Sequence, residues 1–274
     1  MTDKLQRSWN LVAAHPRPLL TVVSCVYLPF YLLYFVTVAA LWLPDEAADK
    51  LFGLIGVLLM PIANAMVVFL THHWRQGVNQ SLTAAFAAAR QRWSKLLTAY
   101  ISVSFIILGW LAVTVLPGYA LLMILKVKQP LWLLPLAAFA IIMALSRYAF
   151  LDPLIVTQGL GPWEARQRSA ELVRGRRAAV IGYGLLTFLP PFLLESGGEL
   201  LADYMKPDFG LWPLIIGTCT GFGASILYVI PVVFFYTYYQ ELATAPLGGS
   251  PAAAVPPGGR ASELAGVRAV DINQ

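Results

Sequence analysis

The sequence predicts an all-α fold, a polytopic bundle of six transmembrane helices with two amphipathic helices lying along its cytoplasmic face. Three observations predict it. Hydrophobic residues make up 58% of the chain and charged residues 12%, against roughly 45–50% and about 25% in a soluble domain, and the mean hydropathy is +0.68. Six apolar runs approach or exceed the ~20 residues a helix needs to cross a bilayer. The basic residues gather in alternate connections, as the positive-inside rule requires of a multi-pass protein.

Residues 1–18 form an interfacial N-terminus. Leu5, Trp9 and Val12 recur at four and three, which places them on one helical face, and His15-Pro16-Arg17-Pro18 ends that helix. The apolar run that follows, about residues 19–43, is too long for the ~7–15-residue core of a signal peptide, so it is the first span, with Pro29 as a site for a kink. An acidic loop, Asp45 to Lys50, leads to the second span at about 51–71. This span holds Pro61 and Asn64 near its middle. An amide in hydrocarbon is costly unless paired, so Asn64 should face other helices and is the candidate intramembrane polar site. His72 and His73 follow at the exit; adjacent histidines point to different faces and no carboxylate stands at ligand spacing, so no metal site is expected.

A first surface helix is predicted at about 80–93, with Leu82, Phe86 and Ala89 on one side, and Arg90, Arg92 and Lys95 marking the cytoplasm. The third span covers about 96–116 and should break at Pro117-Gly118, and the fourth covers about 131–150. Gly161-Pro162 then opens a second surface helix at about 162–174. Pro162 suits a first helical position, where no N–H is needed, and Glu164 falls in the favourable first turn. Trp163, Ala170 and Val173 form an apolar face beside Leu172, while Glu164, Arg168 and Glu171 form a charged one. Gly175 suits the left-handed C-terminal cap. The five arginines Arg166, Arg168, Arg174, Arg176 and Arg177, with Arg147 at the end of the fourth span, are candidate contacts for anionic lipid headgroups or another phosphate-bearing ligand, because a guanidinium matches phosphate oxygens two at a time.

The stretch Arg147-Tyr148, Pro153, Gly159, Pro162, Glu164-Ala165, Ser169, Leu172 and Arg174-Gly175-Arg176, with His15-Pro16 before the first span, resembles a group of bacterial inner-membrane proteins. These are the YciC-like proteins and the membrane domain attached to some glycerophosphodiester phosphodiesterases. The resemblance covers about residues 8–240. It implies a multi-span domain of the bacterial inner membrane with no agreed activity, and no phosphodiesterase catalytic domain follows it.

The fifth span is expected at about 178–194, with Pro190-Pro191 near its outer end, and Glu195 is expected as a solvated acid in the outside loop that follows, the alternative being that the helix continues through it and makes it an intramembrane carboxylate and proton-relay candidate. The sixth span, about 211–239, carries Gly217, Gly221, Gly223, Ala224 and Ser225 as a face for close packing. Tyr228, Tyr236, Tyr238 and Tyr239 are expected as an aromatic belt. Residues 242–274, rich in Ala, Pro and Gly, are expected as a disordered cytoplasmic tail.

With both termini in the cytoplasm, only Lys50, Lys126, Lys128 and Lys206 of the basic residues stand outside. The net charge of +5 is thus sorted by membrane side, and nucleic acid is excluded as a partner. Cys25 and Cys219 lie in apolar runs and frame neither a disulfide scaffold nor a metal cluster. Spans two and three, and spans four and five, each flank a basic amphipathic helix, so a hairpin of about 80 residues recurs in architecture. No nucleophile elbow, phosphate loop, dinucleotide fingerprint or zinc helix is present. The expectation is therefore a non-catalytic membrane module, needing no cofactor, that organises lipid or scaffolds a protein partner the sequence does not identify. The alternative is a transporter or lipid-handling protein for a small or phosphate-bearing substrate, with Pro61, Asn64, Ser102, Ser104 and Thr220 converging on one cavity.

Overall fold

The chain builds its fold from helices alone among the residues that the computed structural model describes, 2–41, 45–124, 133–205 and 210–244. In chain order these are α1 (Thr2–Ala14), α2 (Pro16–Leu41), α3 (Asp45–Arg75), α4 (Leu82–Ile124), α5 (Leu133–Arg147), α6 (Leu151–Gln158), α7 (Pro162–Val173), α8 (Arg177–Met205), α9 (Trp212–Leu227) and α10 (Val229–Thr244). Six stretches are long and apolar enough to cross a membrane: Pro16–Ala40, Lys50–Arg75, Leu82–Ala120, Leu133–Gln158, Arg177–Met205 and Trp212–Thr244. The protein is a multi-pass membrane protein. Its bare surface agrees, for Phe105, Val113 and Leu200 are about 70% exposed and belong to a broad apolar exterior of the kind that lipid covers.

The spans close into a ring. α2 packs on α3, α3 on α4, α4 on α5, α5 on α8, α8 on α9, and α9 returns to α2. Two short elements fill one end of it. α6 sits against α3, α4 and α7, burying Leu151, Pro153, Leu154, Ile155 and Val156. α10 buries almost every side chain from Val233 to Tyr239, as a helix apolar on all sides should. The main core, including Val22, Leu70, Leu96, Phe150, Leu154, Val173, Phe234 and Tyr236, therefore lies at this end.

Several elements run on where the sequence suggested a stop. The predicted surface helix at 80–93 and the third span are one uninterrupted helix, α4, of 43 residues. No glycine or proline separates Arg90 from Leu96, and Pro117 is accommodated within the helix. At ~1.5 Å per residue α4 is roughly 64 Å long, about twice the hydrocarbon thickness, so its basic first turns can stand beyond the membrane without a break in the backbone. α8 likewise continues through Pro190 and Pro191 to Met205 and carries Glu195 inside it; Glu195 is thus a half-buried helical residue and not the loop acid expected.

The sixth span is interrupted once, at Tyr228. Pro231 explains the break, since its ring clashes with the carbonyl four residues back, that of Leu227, where α9 ends. Of the predicted tail at 242–274, the first three residues continue α10 to Thr244; the rest of it, with Lys126, Lys128 and Lys206, lies outside the described residues.

Candidate functional site: a basic end and a polar cluster between three helices

α7 begins as its sequence dictates. Pro162 occupies the first turn, the Gly161 N–H donates to Glu164 Oε2 at 3.2 Å, and Gly175 adopts φ +77° just beyond the helix end. Its buried stripe is Ala165, Ser169 and Val173, spaced four apart, rather than the predicted face through Trp163. Small side chains at the first two positions let the backbone approach its neighbours closely. Ser169 is fully buried and doubly used: its hydroxyl donates to the Arg147 carbonyl at 3.0 Å and accepts from the Phe150 N–H at 3.2 Å. It ties the bend between α5 and α6 to α7. Trp163 points outward, 63% exposed, with the Arg166 guanidinium 4.7 Å from its ring centre.

The predicted arginines separate into two groups. Arg168 is paired with Glu171 at 3.1 Å. Arg147, Arg166, Arg174, Arg176 and Arg177 have no acidic partner among the described residues, and all but the half-buried Arg166 are exposed. The first of them lies over the Tyr148 ring at 5.9 Å. This end of the bundle therefore presents several uncompensated positive charges from one short helix and its flanks.

Asn64 faces other helices, as the cost of its amide required. Its Nδ2 donates to Tyr100 OH on α4 and to Asp152 Oδ2 on α6, each at 3.1 Å. The Tyr100 hydroxyl lies 2.7 Å from both Asp152 carboxyl oxygens and donates to them. Three helices are thus fastened through one carboxyl group. Asp152 sits in the first turn of α6, where the helix dipole favours negative charge.

Neither Asp152 nor Tyr100 was singled out from the sequence. The signal was a lone acid in the otherwise apolar run Tyr148 to Val156, hidden because the fourth span was expected to end at Phe150. The other predicted polar residues do not join this cluster. Ser102 donates to the Ala99 carbonyl and Thr220 to that of Ile216, each within its own helix, and Ser104 is exposed.

One to two turns along α6 from Asp152, a polar cleft of about 190 Å³ is lined by Phe69, His72 and His73 of α3, Arg92 of α4, and Val156 and Thr157 of α6. Arg92 donates to the Val156 carbonyl, and Lys95 Nζ to that of Gly159 at 2.9 Å, so two cations stand at the negative end of α6. His72 Nδ1 meets Tyr236 OH at 2.8 Å and its Nε2 meets the Gln76 amide at 3.1 Å. His73 Nδ1 donates to the Phe69 carbonyl at 2.9 Å.

The tyrosines of α10 are core, not belt. Tyr236, Tyr238 and Tyr239 are buried and wired to His72, to the ammonium of Lys4 at 4.6 Å, and to the Gln158 amide respectively. Toward the other end of the spans, Tyr228 OH donates to Glu195 Oε2 at 3.1 Å, and Tyr31 OH lies 3.3 Å from Ser225 Oγ. Comparison of the chain with protein-family models, curated proteins and solved structures finds no match.

Proposed function

We propose that this membrane protein is a non-catalytic module whose basic end organises anionic lipid, with both termini on the cytoplasmic side of a bacterial inner membrane. One observation carries the reading: the exposed guanidinium groups of Arg147, Arg174, Arg176 and Arg177 cluster about α7 with no acidic partner among the described residues. Each basic residue near an anionic surface contributes about 1 kcal/mol of attraction, and Trp163 beside Arg166 supplies the amphipathic ring suited to the headgroup level. The resemblance to YciC-like membrane proteins fits such a module.

The test is thermal unfolding in nanodiscs of phosphatidylcholine with and without phosphatidylglycerol. The native chain should gain stability from the anionic lipid, and the gain should shrink as salt is raised. The combined variant Arg166→Gln, Arg174→Gln, Arg176→Gln, Arg177→Gln should lose most of it. Equal gains in both chains would refute the lipid reading.

A second reading, a transporter or lipid-handling protein, is favoured by Asp152, an ionisable residue within a span and held by groups from two other spans. Proton entry into proteoliposomes, followed with an internal pH-sensitive dye and abolished by Asp152→Asn, would favour it over the first.

A further inference from the structure

We propose that the cleft between α3, α4 and α6 is a binding site for a phosphate group, with Arg92 as its anchor and His73 as its second polar contact. This goes beyond the lipid contacts of α7, because the cleft draws no residue from that helix.

The argument starts from uncompensated charge. A guanidinium carries five N–H donors and a full positive charge. Arg92 is half-buried, and among the described residues one carbonyl, that of Val156, is its sole partner. The dipole at the end of α6 offsets roughly half an elementary charge. The remainder, and the unused donors, need an anion or water.

Neighbouring groups select the anion. His73 donates its Nδ1 hydrogen to the Phe69 carbonyl, which leaves Nε2 as a second polar atom on the same cleft, able to accept from a protonated phosphate oxygen. No acid lines the cleft, so a cation is disfavoured there. His72 is already committed on both nitrogens and serves as wall. At about 190 Å³ the space is far above the ~10–15 Å³ that admits one water. A planar guanidinium fork beside an imidazole acceptor suits a tetrahedral oxyanion that carries a P–OH better than a halide.

Free phosphate and a phosphomonoester headgroup share this chemistry, and the test separates them. Titration calorimetry on the detergent-solubilised full chain uses inorganic phosphate, and native mass spectrometry from phosphatidylcholine nanodiscs uses added phosphatidic acid. Arg92→Gln should weaken binding on the order of tenfold or more, since a hydrogen bond to a charged group is lost. His73→Ala, which leaves the Arg92 to Val156 bond in place and guards against a merely misfolded Arg92 variant, should weaken it several-fold. The combined variant of Arg166, Arg174, Arg176 and Arg177 should bind inorganic phosphate as the native chain does and keep the Arg92-dependent part of its phosphatidic acid binding, which separates this site from the lipid surface of α7. Arg92-dependent binding of inorganic phosphate identifies the free ion, and Arg92-dependent binding of phosphatidic acid alone identifies the headgroup. Binding of neither probe, or binding indifferent to both Arg92→Gln and His73→Ala, overturns the proposal.

Discussion

Asp152 shows how a single polar atom pair can decide the local architecture of an apolar bundle. A carboxyl group removed from water must find donors, and here they come from α3 and α4 while the acid itself belongs to α6. Hydrogen bonds between membrane helices average only ~0.6 kcal/mol, because the separated helices also find partners. The bond from Tyr100 should exceed that mean, since its acceptor is a carboxyl that, among the described residues, one other side chain, Asn64, also serves. Tyr100→Phe is therefore expected to destabilise the bundle by about 1–2 kcal/mol. Denaturation in mixed micelles measures this, and the double-mutant cycle with Asn64→Ala should show coupling of ~0.5 kcal/mol or more; strict additivity would mean that the three groups do not act as one unit. Asn64 was legible in the sequence because an amide amid leucines and valines demands a partner. Its partners were not, since Tyr100 looks like any interfacial tyrosine and Asp152 stands beyond the expected end of its span. Sequence spacing gives no information on which helices meet.

At the scale of elements, the contact between α8 and α9 depends on the absence of side chains. A Cβ placed on Gly198 would stand 2.0 Å from Thr220 Oγ1 and 2.4 Å from its Cβ, so the two backbones could not keep their present approach. Gly198→Ala should cost about 1–3 kcal/mol, the usual range for overpacking. Thr220→Ala in the same chain should not restore stability, because the Cβ of residue 220 remains in the way, whereas Thr220→Gly should restore part of it. Unfolding midpoints of the four chains check this. Pro231 acts on the backbone instead: Pro231→Ala should restore the hydrogen bond to the Leu227 carbonyl and fuse α9 with α10, seen as slower amide exchange around Tyr228. The small-residue face of the sixth span was legible from Gly221 to Ser225. The continuity of α4 was not, because Arg90, Arg92 and Lys95 mark a membrane boundary in composition while remaining good helix formers. Charge shows where the solvent changes, and only glycine, proline and capping residues show where a helix stops.

For the molecule as a whole, the ring of spans brings one class of charge to one end. Lys4 and Arg7 of α1 pair with Glu241 of α10 at 2.8 and 3.7 Å, and Lys95 meets Gly159 in the connection between α6 and α7. The N-terminal helix, the exit of α3, the entry of α4, α7 and the end of α10 therefore share one pole, where the main core is also packed. The packing holds this pole together whichever way the protein inserts, so the contacts do not set the orientation; the proposed orientation rests on the arginines and lysines, which the positive-inside rule keeps on the cytoplasmic side. The consequence can be tested in intact cells. In a chain with Cys25→Ala and Cys219→Ala, a cysteine at Asn79, between α3 and α4, should react with a membrane-impermeant maleimide only after permeabilisation. A cysteine at Gly210, just before α9, should react without it. The opposite pattern would reverse the proposed orientation and place the arginines of α7, and the cleft at Arg92, outside the cytoplasm. Arg174→Glu, Arg176→Glu and Arg177→Glu together should leave the Asn79 result unchanged, because the basic residues of α1 and α4 still bias the same pole inward and acidic residues weigh little in orientation.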